Sequence, residues 1–134
     1  MPAAAMRIRV PAQAEQMARV RAEVGEYARD SGMTETGVEN AQTIVTEACA
    51  NSIKHAYGDS PPGPLEISAD AQDEQFLLVV RDFGSGIGPR TDAAHSSLHA
   101  GLSIIGALSS SFRLSSHRGQ GTEIEVRLPL AEAA

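Results

Sequence analysis

Hydrophobic and polar positions along this chain change period several times, and each change marks an element. Residues 6–10 alternate apolar and polar, as a half-buried strand does, and Pro11 closes the run. Between residues 13 and 29 the apolar positions Met17, Val20, Val24 and Tyr27 fall 3, 4 and 3 apart, which predicts a helix. Gly25 weakens that helix slightly, and Asp30-Ser31-Gly32 ends it. A second helix is predicted from Thr34 or Thr36, either of which can cap, through Tyr57. Its apolar face carries Val38, Ala41, Val45, Ala48 and Ser52. The Gly- and Pro-rich residues 58–64 forbid its continuation.

Residues 65–69 alternate again, and after a polar turn within residues 70–74 comes the run 76–82, apolar on both faces. The two read as an antiparallel hairpin whose second strand is central and well buried. That strand ends on Asp82 and leads into Phe83-Gly84-Ser85-Gly86-Ile87-Gly88-Pro89. Residues 90–97 show no apolar period and read as a loop. From about Leu98, positions Leu102, Ile105 and Leu108 recur at helical spacing, and residues 112–116 and 122–128 form a closing hairpin about Gly119-Gln120-Gly121. Too few helices alternate with strands for a doubly wound fold. The predicted class is α+β, a two-layer sandwich with a mostly antiparallel mixed sheet and three helices on one face.

Composition narrows the class further. With 134 residues, 42% of them hydrophobic, the chain supports one domain, placed at residues 6–130 between a lead of residues 1–5 and a tail of residues 131–134. A formal charge of −6 argues against a nucleic-acid binder, which needs a surplus of Lys and Arg, yet leaves a small anionic ligand open. No stretch resembles a signal peptide or reaches the roughly 20 apolar residues that span a bilayer, so the expected location is the cytoplasm, without membrane contact. The single Cys49 has no Cys partner, and its expected role is packing.

Two stretches bear chemistry. In the second helix Glu47, Asn51 and His55 stand at i, i+4 and i+8, aligning a base, an amide and an imidazole; a solvated face would carry the same spacing. The Gly-rich turn after Asp82 lacks the Lys-Ser/Thr of a P-loop. It is also followed by Pro89 rather than a helix, unlike a dinucleotide-binding turn. What remains is a turn whose glycines admit a flat ligand, headed by a carboxylate able to accept from an amino group such as adenine's, or a carboxylate that only caps the turn. His95 and His99, at i and i+4, lack an evident third metal ligand.

Taken in order, Glu47-x-x-x-Asn51-x-x-x-His55, Asp82-x-Gly84-x-Gly86, Gly101-Leu102 and Gly119-x-Gly121-Thr122 resemble the GHKL (Bergerat-fold) ATP-binding superfamily. Within it the chain is most similar to the small anti-sigma factor serine kinases, over roughly residues 10–130. The resemblance implies ATP and Mg2+ as cofactors, with Asn51 holding the metal and Glu47 as general base. Asp82, Gly84, Gly86, Gly121 and Thr122 would form the adenine pocket, with His55 nearby. Gly101 and Leu102 would open the third helix toward the phosphates. One departure stands out: the family's Gly-x-Gly before that helix reads His99-Ala100-Gly101 here. The implied partners are a sigma factor and a STAS-type anti-anti-sigma protein phosphorylated on serine, with a homodimer among the implied assemblies. The alternative is a nucleotide-dependent protein-binding regulator with weak catalysis.

Overall fold

The structure, a computed structural model, describes residues 5–57, 61–84, 92–117 and 119–130, the side chains of residues 92–99 and 117 excepted. Residues 1–4 of the predicted lead of residues 1–5, and 131–134, the predicted tail, lie outside that description, as do the Gly84–Pro89 turn beyond Gly84 and Arg90.

Five strands form one sheet in the order β1-β2-β3-β5-β4, from β1 (Met6–Pro11), β2 (Pro64–Gln72), β3 (Gln75–Asp82), β4 (Ser111–His117) and β5 (Gly121–Pro129). All four pairings are antiparallel, so the described sheet contains no parallel pair and is not mixed. Three helices accompany it: α1 (Met17–Asp30), entered through a 3-10 turn at Ala14–Gln16, α2 (Glu35–His55) and α3 (Asp92–Leu108). Helix α2 lies between α1 and α3 and over the central strands β3 and β5, while α1 covers β1 and β2.

Strand parity decides which residues face this helical layer. Ile8 and Val10, Leu65 and Ile67, Phe76, Leu78 and Val80, and Ile124 and Val126 are all buried against Val20, Val24, Val38, Ile44, Val45 and Ile105. Burying side chains of this size stabilises by about 1.5–3 kcal/mol each, which compensates for the scarcity of aromatic residues. Tyr27 packs its ring on Phe76 at 5.8 Å and accepts from the Ala71 N–H at 3.1 Å, fastening α1 to the β2 hairpin.

Three expectations are corrected. Strand β3 is central but not buried on both faces: Leu77 and Val79 are half-buried and Arg81 is exposed, because no second layer of the described residues covers that side. The β2–β3 connection is a two-residue turn, Asp73-Glu74, with φ of 53° and 65°, as tight hairpins require. Leu130 N–H donates to Glu74 O at 3.0 Å and holds the turn against the end of β5. Finally, α3 begins at Asp92, so residues 92–97 are helix rather than loop; Ala93, Ala94 and Ala100 supply helix propensity where apolar periodicity is missing.

Of the two candidate caps for α2, Thr34 is the one in use: its extended backbone (φ −65°, ψ 160°) lets Oγ1 accept from Gly37 N–H at 3.0 Å. Thr34→Ala should therefore lower stability by about 1 kcal/mol in urea unfolding, while Thr36→Ala, at an exposed position within the first turn, should leave it nearly unchanged.

Candidate functional site

The parity that buries Phe76, Leu78 and Val80 also turns Asp82 toward the helices, and it is only 3% exposed. A carboxylate in that position must be met by donors. Three are present. Oδ1 accepts from Gly84 N–H and from Thr122 N–H, each at 3.1 Å, and Oδ2 accepts from Ser52 Oγ at 2.8 Å. The donors come from the turn after β3, the start of β5 and the last turns of α2, so one side chain ties three segments together. Asp82 is thus more than a cap for its own turn.

Two glycines are demanded by this junction. A Cβ on Gly84 would lie 2.1 Å from Ala56 O, so the segment after Asp82 can run under the C-terminal end of α2 only without a side chain. Gly121 has φ +87°, and its Cβ would lie 2.1 Å from Asp82 O. Both therefore serve the approach of backbone to backbone. Thr122, which follows Gly121, places Oγ1 3.1 Å from Ser116 Oγ.

Tyr57 braces the same corner. Its hydroxyl donates to Pro64 O at 2.6 Å and accepts from Phe83 N–H at 2.9 Å, while its ring occupies the space that a side chain on Gly63 would need. Burial raises the phenol above its ordinary range, with the Asp82 carboxylate adding to the rise against the Phe83 N–H and Arg9. The exposed Phe83 ring lies under two guanidinium groups, Arg81 at 4.8 Å and Arg9 at 5.6 Å.

One residue before Ser52 on α2, Asn51 is 8% exposed, and its Nδ2 is buried with no hydrogen-bond partner among the described residues. Against it lies α3: a Cβ on Gly101 would come within 3.0 Å of Oδ1 and 3.1 Å of Nδ2. An orphaned carboxamide is costly unless something else meets it. Rotating the amide about its last bond exchanges O and N, so the unmet position suits a cation that takes oxygen ligands as well as it suits an acceptor. The Asn51 amide thus fits the metal ion that the family resemblance implies.

The expected stripe is only partly wet. Asn51 is buried, whereas Glu47, one turn before it, and His55, one turn after it, are half-buried. Gly101 does not open α3: it lies well inside a helix that starts at Asp92, so its own N–H is no free helix-terminal donor. Leu102 is half-buried against the core. Position 99 falls within the same helix, where the family's first glycine would have no positive φ to adopt. Gly86, and the side chains of His95 and His99, lie outside the described residues. Sequence reasoning missed Ser52, which it placed among apolar positions, and Tyr57. Parity along residues 76–82 pointed to Ser52, since it sends Asp82 inward and obliges the facing helix to supply a donor, whereas nothing in the local sequence marked Tyr57.

Elsewhere, a groove of about 570 Å3 runs along the uncovered sheet face, where Arg9 pairs with Glu66 at 2.8 Å and Arg81 stands opposite Glu123 in the ladder. It contains none of the site residues. Among the described residues no helix is long and apolar enough to cross a membrane.

Comparison with known proteins adds the following. Residues 10–128 match the family model described as histidine kinase-like ATPase domain. A protein of Bacillus velezensis named serine-protein kinase RsbW is 29% identical over 77 residues, 58% of this chain and 48% of that one. The chain thus spans about half the length of this relative. An anti-sigma F factor of Clostridium beijerinckii is 24% identical over 133 residues, covering 91% of this chain and 92% of that one. Among solved structures, that of the RsbU and RsbW domains of Rv1364c from Mycobacterium tuberculosis superposes with a TM-score of 0.75 at 22% identity, over 96% of this chain and 33% of that one.

Cys49, on the core side of α2, is fully buried, and burial pushes its thiol from 9.0 up to about 12. The folded state therefore keeps this proton through a range in which the unfolded chain releases it. Stability from this group is complete below pH 9 and should fall as pH rises above 9, by up to about 1.4 kcal/mol per unit. Urea midpoints measured across pH 8–11 on the protein and on Cys49→Ala check this: the difference between them should narrow as pH rises.

Proposed function

Because this chain belongs to the histidine kinase-like ATPase family, we propose that it binds ATP with Mg2+ where α2 and α3 meet the end of β3, and passes a phosphoryl group to a serine of a partner protein. The observation that carries this reading is the buried carboxylate of Asp82 beside the unmet carboxamide of Asn51. With three donors already on its two oxygens, Asp82 has room for about one more, which an exocyclic amino group supplies. In this reading Gly121 and Thr122 frame the base, and Gly86 is assigned to the same pocket by the family resemblance alone. Asn51 would hold the metal through its amide oxygen, a ligand of the hard type that Mg2+ prefers. Bound Mg2+ would neutralise charge on the phosphate oxygens.

Glu47 lies one turn from Asn51 on the same helix, on the side away from Asp82 in sequence, and is half-buried. In this reading its carboxylate takes the proton from an incoming serine hydroxyl. His55 packs at the base end, and Gly101 and Leu102 bring α3 against Asn51 at the phosphate end. The names carried by the relatives, serine-protein kinase RsbW and anti-sigma F factor, support a further assignment. This chain would hold a sigma factor and phosphorylate a STAS-type antagonist of that complex, in the cytoplasm and without touching nucleic acid or membrane.

Binding that favours the native state must raise the unfolding midpoint. ATP with Mg2+ at 100 times its dissociation constant should add about 2.7 kcal/mol, and ATP with EDTA less; an unchanged midpoint at millimolar nucleotide would sink the reading. Glu47→Ala should abolish transfer of labelled phosphate while changing ATP affinity little. Transfer equal to that of the unaltered protein would remove Glu47 as base, and binding without any transfer by either protein would leave a nucleotide-dependent binding module.

A further inference from the structure

Ser52 has a use for its hydroxyl that is unusual for a helical serine. Within a helix such a group ordinarily donates back to the carbonyl four residues earlier. Thr46, on the same helix, does so, with Oγ1 at 2.7 Å from Gln42 O. Ser52 instead donates across to Asp82 Oδ2 at 2.8 Å, in a setting where Ser52 is 7% and Asp82 3% exposed.

That choice sets the polarity of the whole junction. Gly84 N–H and Thr122 N–H are both committed to Asp82 Oδ1. With its only proton committed to Oδ2, Ser52 shows its surroundings lone pairs alone. Among the described residues, each of the three groups that meet the Asp82 carboxylate has then given it its proton. We propose that Ser52 is the positioning residue for base selectivity: by fixing the Asp82 carboxylate and giving it its own proton, Ser52 makes the Asp82–Ser52 pair a pure acceptor that admits an amino group and rejects an oxo group. The inference rests on the reading of Asp82 as the base-recognition residue. A purine with a 6-amino group donates into the cluster, whereas one with a 6-oxo group meets carboxylate and hydroxyl lone pairs with no donor to answer it. Without the hydroxyl, Oδ2 loses a fixed partner, and the space released admits a water, which can donate to an oxo group as well as accept from an amino group.

The test compares ATP with inosine triphosphate, whose base has a 6-oxo group in place of the 6-amino group and an N–H in place of the bare N1, by titration calorimetry on the full chain. The unaltered protein should prefer ATP, and Ser52→Ala should reduce the preference about tenfold. Ser52→Thr, which keeps the hydroxyl, should retain it. A merely structural role would weaken both nucleotides in parallel, so an unchanged ratio in Ser52→Ala overturns the proposal. Should Ser52→Ala fail to fold, Ser52→Cys keeps the volume with a weaker donor, and an unchanged ratio there overturns it equally. A different result marks failure of the underlying reading: the unaltered protein and Asp82→Asn would then bind ATP equally well, whatever Ser52 does.

Discussion

A carboxylate buried at the end of a central strand is the constraint on which this structure turns. Left without donors, Asp82 would cost several kcal/mol; with three charge-assisted hydrogen bonds it becomes a fastening point. Each bond also dictates a neighbour's position. Ser52 sets the height of α2 over β3, Thr122 sets the start of β5 alongside β3, and Gly84 sets the direction in which the chain leaves the sheet. The same arrangement that satisfies the charge gathers the residues to which the proposed function is given.

Close packing around this point explains residues that have no chemistry of their own. The segment after Asp82 passes so near Ala56 O that only glycine fits at 84, and β5 begins so near Asp82 O that only glycine, at positive φ, fits at 121. Tyr57 then locks the exit of α2 to Pro64 and Phe83 through a single hydroxyl. A glycine pattern that reads in sequence as an open cradle for a flat ligand is therefore, at 84 and 121, a condition for backbones to meet. On the opposite sheet face no such constraint acts, and cross-strand rows of Arg and Glu leave it to water.

Much of this was legible in the chain itself. Alternation along residues 6–10, 65–69 and 122–128, and the 3–4 spacing of Val20, Val24, Val38, Val45, Ile105 and their neighbours, predicted the strands, the helices and the helical side of the sheet, because burial is periodic with the backbone. The antiparallel character of the sheet followed from two hairpins whose polar connections are too short for a crossover. Cys49 was read as a packing residue and is one. Residues 92–97 were misread because helix there rests on propensity and carries no apolar stripe.

What the sequence by itself determined is the set of elements and the types of side chain at their ends, since both depend on neighbours in the chain. Only the tertiary structure decided that Asn51 is buried with an unmet amide, that Gly101 meets it from inside α3 rather than from its start, and that Ser52 faces a carboxylate. These are relations between segments 30 to 50 residues apart, and no local period encodes them. They arise when Asp82, turned inward by the parity of β3, has to find its donors on whichever helix and strand the sheet order sets beside it.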